Sequence, residues 1–219
     1  MSDDTKAIIP QAPLLPTQRR NLAIVPQSFE DIWRFATAVT KSGLAPKGID
    51  SPEAAFVVIQ YGLELGLGPM AALQGIANIN GKPSIYGDLM LALARGSGLF
   101  DEAAFIETVA ETEKEGLVAT VTVRRLPDGK PKTASYSMAQ AKKCMVYSKG
   151  KTVALADKPG PWQSHPERML LYKARNPLLR DTFTELYCGM ASAEEMRDVD
   201  EPEIDGRGWS QLRADDSDA

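Results

Sequence analysis

Apolar positions recur at helical spacing from about residue 28 to 95, and the period then changes, with clear alternation over 117–125. That change of period predicts a helical first half joined to a β region. Ser28 is a good N-cap for a helix running to Ser42, with Gly43 just past its end. Ser51-Pro52 repeats the start signal for a helix to about Leu65, and Gly66 follows. A short helix is predicted over residues 69–75. Residues 77–79 and 83–85 flank Asn80-Gly81, a dipeptide that supplies the positive φ angles of a tight hairpin turn. A further helix over 88–95 stops at Gly96 or Gly98.

Strands are predicted at 105–109 and 117–125. In the second, Leu117, Ala119, Val121 and Val123 form a wholly apolar face, opposite Val118, Thr120, Thr122 and Arg124. Pro127-Asp128-Gly129 turns the chain into a third strand, 132–137, and Ser137 caps a short helix over 138–144. Residues 147–160 read as a long loop. A last helix begins near Pro166. At about 100° per residue, Arg168, Tyr172 and Arg175 fall on one stripe, which predicts an exposed side pairing two guanidiniums with a ring. Asn176-Pro177 predicts a break and a restart. The expected class is α+β: a small antiparallel sheet and hairpins packed with helices. Residues 1–27, with four prolines, read as a flexible leader, 28–197 as the core, and 198–219 as an acidic disordered tail.

A chain of 219 residues with 43% hydrophobic content supports one substantial core with appendages. No apolar run approaches the roughly 20 residues of a membrane span. The polar start lacks the basic and apolar regions of a signal peptide, so a cytoplasmic location is expected. Cys144 and Cys188 make no disulfide framework, and with His165 the single histidine they make no convincing zinc site.

Charge sharpens the picture. The formal net charge is -4, yet residues 120–180 hold 13 Lys+Arg against 3 Asp+Glu. Residues 181–219 hold 3 against 12. A strongly basic segment beside an acidic one points to a polyanion-binding surface. Tyr136, Tyr147, Trp162 and Tyr172 lie among the basic residues, and aromatic faces stack on bases. A solvated basic face with aromatics in the core is the alternative that composition leaves open.

Three segments carry a resemblance. Gly66-Leu67-Gly68-Pro69-Met70-Ala71-Ala72-Leu73, with Asn80-Gly81-Lys82-Pro83 and Asp88-Leu89-Met90, resembles the front half of RecT-type single-strand annealing proteins of phages. Tyr136-Ser137-Met138-Ala139-Gln140-Ala141-Lys142-Lys143 is similar to the strand-to-helix segment expected next. Pro161-Trp162, Pro166-Glu167-Arg168-Met169-Leu170 and Lys173-Ala174-Arg175 resemble the closing core motif. Order and spacing agree over about 29–195. Asn176-Pro177 departs from the pattern, because the family leads one to expect a continuous helix there. The resemblance implies ATP-independent binding of single-stranded DNA, pairing of complementary strands through an annealed duplex intermediate, and assembly into homo-oligomeric rings or helical filaments. It also implies a partner exonuclease, a host single-strand binding protein and a bacterial host cell as the setting.

Annealing requires no nucleophile, cofactor or metal, and no catalytic residue is assigned. Gly66-Leu67-Gly68 runs at once into proline, so it fits no dinucleotide turn, and no G-x-x-x-x-G-K loop is present. Glu111, Glu113 and Glu115 are expected in a solvated turn. The expected DNA-binding residues are Arg124, Arg125, Lys142, Lys143, Lys149, Lys151, Trp162, Arg168, Tyr172, Lys173 and Arg175, gripping phosphates without reading sequence. Arg124 and Arg125 point to opposite faces of one strand, so one at most is expected to line the groove. Trp162 either stacks a base or anchors the loop to the core, the second being favoured. Lys82 and the hairpin serve DNA, a neighbouring subunit, or only the turn. A metal-dependent nuclease or nuclease accessory, and a structural oligomer that binds DNA incidentally, are the competing readings.

Overall fold

The computed structural model describes residues 26–79, 81–148 and 151–198. The leader up to residue 25, the tail beyond 198, Asn80 and Lys149 lie outside the described residues. Helix α1 (Phe29–Lys41) starts where Ser28 Oγ accepts the Asp31 N–H, and α2 (Pro52–Glu64) where Ser51 Oγ accepts the Ala54 N–H. Both caps satisfy amides that a helix N-terminus leaves unpaired. Helix α3 (Pro69–Gly75) leads into the hairpin β1 (Ile76–Ile79) and β2 (Lys82–Ile85), with Gly81 at φ +72° in the turn. Ile32, Val58, Ile59, Leu73 and Ile76 close a first core among these elements.

Helix α4 (Gly87–Gly96) opens the second, larger core. Its floor is an antiparallel sheet in the order β3 (Ile106–Thr112), β4 (Gly116–Val123), β5 (Lys132–Ser137). Ala119, Val121 and Val123 are fully buried, as the alternation predicts. Helix α5 (Met138–Lys143) begins with a complete capping box: Ser137 Oγ accepts the Gln140 N–H, and Gln140 Oε1 accepts the Ser137 N–H. Helices α6 (Pro161–Ser164), α7 (Pro166–Thr182) and α8 (Ala193–Asp198) follow, with α7 lying across β4 and β5 and against α4.

Four expectations are corrected. The stretch 147–160 is not one long loop. It holds an antiparallel hairpin, β6 (Met145–Ser148) and β7 (Lys151–Ala154), and then a 3-10 turn, Leu155–Asp157. The strands are only four residues each, too short for alternation to stand out among the lysines. Nor does the chain break at Asn176-Pro177: α7 continues through Pro177. The proline removes one backbone hydrogen bond, but Ala174, Asn176, Leu178 and Leu179 on either side are buried, and that packing holds the helix together. Strand β3 extends to Thr112, so Glu111 pairs with Leu117 within the sheet instead of in a turn. Asp198 is not tail: it ends α8 and is buried.

Candidate nucleic-acid interface

The stripe on α7 meets the start of α4. Gly87, the first residue of α4, allows this approach, since a Cβ there would sit 2.7 Å from Asn176 Nδ2 and 3.0 Å from Tyr172 Cδ1. The close fit brings Asp88 over the stripe. Arg168 Nη2 donates to Asp88 Oδ2 at 2.7 Å and Arg168 Nε donates to Tyr172 Oη at 2.7 Å. The Tyr172 hydroxyl donates in turn to Asp88 Oδ2 at 3.1 Å. Arg175 Nη2 reaches Asp88 Oδ1 at 3.1 Å, and its Nη1 reaches Glu107 Oε1 on β3 at 3.2 Å. Both guanidinium carbons lie over the Tyr172 ring, at 5.3 and 5.0 Å from its centroid. One exposed carboxylate therefore gathers two arginines and a tyrosine. Partial burial raises the Asp88 pKa, but the Tyr172 hydroxyl and the two guanidiniums outweigh it and hold the carboxyl below its usual range.

The two arginines are not equivalent. The sequence pattern put both on the exposed side of the helix. Arg168 is exposed, but the Arg175 side chain is only 7% exposed because α4, β3 and the Tyr172 ring enclose it.

Beside this cluster, α6, α7 and α8 enclose a pocket of about 570 Å³. Pro159, Pro161, Trp162 and Met169 give it an apolar floor, and Lys158, His165, Arg168 and Arg197 stand around it. Arg197 repeats the arrangement of Arg168: it lies 5.2 Å over the Tyr86 ring and its Nη2 donates to Tyr86 Oη at 2.9 Å. Trp162 is buried, with Nε1 3.3 Å from Asp198 Oδ1, so it anchors α6 to α8. Asp198 also pairs with Lys173 at 2.8 Å and Lys158 at 3.9 Å. Glu194 accepts hydrogen bonds from the Gly87 N–H and from Asn176 Nδ2, both at 3.1 Å from Oε2. Burial pushes the Glu194 carboxyl above its ordinary pKa, despite opposing hydrogen bonds from backbone amides and the nearby Arg197.

The remaining expected residues fall into two other places. Arg124 and Arg125 do not share a strand, because β4 ends at Val123. Arg124 is paired with Asp101, while Arg125 binds Glu185 at 2.5 Å and the Thr182 carbonyl at 3.2 Å. Lys142 and Lys143 at the end of α5, and Lys151 on β7, are exposed and carry no ion pair among the described residues. Tyr147, 41% exposed, is on the same hairpin as Lys151, whereas Tyr136 is half-buried and burial pushes its hydroxyl up to about 12. The structure thus unites Arg168, Tyr172 and Arg175, ties Lys173 to Trp162 through Asp198, and leaves Arg124 and Arg125 apart.

Sequence reasoning gave no role to Asp88, Glu107, Arg197 or Tyr86. Asp88 and Tyr86 meet residues 80 or more positions away, and no local spacing reports such a contact. Among the described residues, no three His, Cys, Asp or Glu side chains form a group able to hold a metal ion. No single described helix is long and apolar enough to cross a membrane.

The sequence model of the RecT family matches residues 86–205, a little over half of the chain. The matched span begins at Tyr86, beside Asp88, and takes in the three-stranded sheet, α7 and α8. The glycine-rich segment at 66–83, which also carried the resemblance, precedes it. Comparison with curated proteins gives no match.

Proposed function

The chain belongs to the RecT family, whose members anneal single-stranded DNA in recombination, and from that premise we propose how it does so. It grips the DNA backbone, leaves base edges free, works without ATP and acts as a homo-oligomer. The observation that carries this reading is the seat of Asp88. A carboxylate held by Arg168, Arg175 and the Tyr172 hydroxyl occupies the place of an anionic oxygen, with donors 2.7–3.1 Å away. A backbone phosphodiester presents a like pair of anionic oxygens to the same donors, so it takes the carboxylate's place. Arg168 is the exposed member of the pair and exchanges its bond to Asp88 for one to the phosphate. Arg175 stays buried and keeps Tyr172 in place.

The exposed Lys142, Lys143 and Lys151 extend the grip along the strand as point charges, and Tyr147 offers a stacking face. None of these groups carries a fixed pattern of base-edge donors, so binding is sequence-tolerant. An incoming complementary strand then finds its partner's bases available.

The test is equilibrium binding of oligo(dT), a mixed-sequence strand and an abasic strand over a range of salt, with particle imaging. Near-equal affinities, a steep salt dependence and multi-subunit particles are expected. A strong preference for one sequence, or loss of binding to the abasic strand, refutes the backbone grip. Monomers on saturated DNA refute the oligomer.

A further inference from the structure

We propose that the pocket between α6, α7 and α8 is the seat of the chain's own acidic segment, residues 200–209. The path of the chain supports this first. Asp198 is a lining residue of the pocket, so the polypeptide leaves the fold from the pocket wall itself. Ile204 and Trp209 follow six and eleven residues later. An extended chain covers about 3.3 Å per residue, so both reach any point of a pocket of this size.

Chemistry supplies the second argument. Segment 200–209 holds Asp200, Glu201, Glu203 and Asp205 against a single Arg207, and Ile204 and Trp209 are its large apolar side chains. The pocket offers an apolar floor that includes Trp162 and Met169, with Arg168, which also pairs with Asp88, and Arg197 at its edge. Its own carboxylates, Glu194 and Asp198, are already held by Gly87 and Asn176 and by Lys158 and Lys173. Each of these arginines is pre-set by stacking on a tyrosine, Tyr172 or Tyr86, and bonds that tyrosine's hydroxyl. Stacking leaves outward guanidinium N–H groups for a carboxylate, and a pre-ordered arginine gives up less side-chain freedom on pairing. Asp198 already shows the mode on the pocket wall, paired with Lys158 and Lys173. The next acidic residues continue it outward.

A seated tail covers Arg168, so it competes with a DNA backbone for that side chain. This consequence rests on the annealing reading; the docking does not.

The test uses the full chain carrying 5-fluorotryptophan at its three tryptophans, with the Trp209 signal assigned by Trp209→Phe. In the folded protein the Trp209 fluorine resonance is expected to be displaced from that of a synthetic 199–219 peptide and insensitive to exchange of H2O for D2O. About 0.5 M salt should return it toward the peptide position. So should the combined replacement Asp200→Asn, Glu201→Gln, Glu203→Gln and Asp205→Asn, which leaves the folded core untouched. Arg197→Glu should do the same. A wild-type resonance already at the peptide position overturns the proposal. A displaced resonance that survives all three changes overturns this seat. Return to the peptide position on dilution assigns the contact to a second copy and also overturns it. Adding oligo(dT) should release Trp209; a tail that stays seated on saturated DNA overturns the competition alone. Failure of annealing with a seated tail counts against the annealing reading and leaves the seat standing.

Discussion

Replacing Arg175 and replacing Arg168 should have opposite signatures, although the two residues share one stripe of one helix. The Arg175 side chain is 7% exposed and bridges Asp88 and Glu107 while stacking on Tyr172. Removing one partner of a buried pair costs about 3–5 kcal/mol. Here the partners left behind retain solvent, at 63% and 24% exposure, which moves the cost to the lower end. Loss of the cation–π contact adds about 1 kcal/mol. Arg175→Met should therefore destabilise the protein by about 4 kcal/mol. Arg168 is 62% exposed and its pair with Asp88 is open to water, so Arg168→Ala should cost only about 0–1 kcal/mol. Its effect belongs to DNA: one lost phosphate contact flattens the log–log salt slope for a single strand by about 0.7. Urea titration and fluorescence anisotropy on oligo(dT), run on both variants, separate the two effects. Equal losses of stability, or an unchanged salt slope in a fully folded Arg168→Ala protein, refute the division of roles.

Gly87→Ala should lower stability by about 1–3 kcal/mol in the same titration, since a Cβ 2.7 Å from Asn176 Nδ2 forces α4 away from α7. No loss would mean that the two helices part freely. Tyr187→Phe should cost about 1 kcal/mol, because the buried hydroxyl donates to the Met90 carbonyl at 3.0 Å; a neutral result refutes that bond's role. For Glu194 the sign runs the other way. Its carboxyl sits above its ordinary pKa, so its ionisation weakens the fold at neutral pH, and the penalty disappears as pH falls through the raised value toward about 4.3. Glu194→Gln should thus be the more stable protein at pH 7 in thermal melts, with the gap closing on acidification. A gap that widens instead contradicts the burial argument.

Local signals served well wherever the determinant was local. Ser28, Ser51 and Ser137 each cap the helix they announce, and Gly81 takes the left-handed turn of its hairpin. On the apolar face of β4, Ala119, Val121 and Val123 are buried as alternation requires, while Leu117 at the start of the strand is half-buried. Reading failed where packing from a distance overrode the local rule. Pro177 looked like a break, yet buried neighbours on both sides carry α7 through it. The stripe on α7 was legible as a pattern, but not the carboxylate from α4 that covers it, 80 residues earlier in the chain. Periodicity assigns residues to the same face; it does not say whether that face meets water or another helix. Arg175 and Arg168 differ for that reason. Lys173 shows the same limit, since its charge is taken by Asp198, which composition assigned to the tail.

The most direct test of annealing by backbone grip is the rate of strand pairing without nucleotide. Two complementary oligonucleotides carrying a fluorophore and a quencher are mixed with the protein in the absence of ATP. Strong acceleration of complementary pairs over the protein-free rate is predicted, with no effect on non-complementary pairs and a marked slowing by Arg168→Glu. A rate equal to that of DNA alone, a requirement for ATP, or magnesium-dependent shortening of the strands would contradict it.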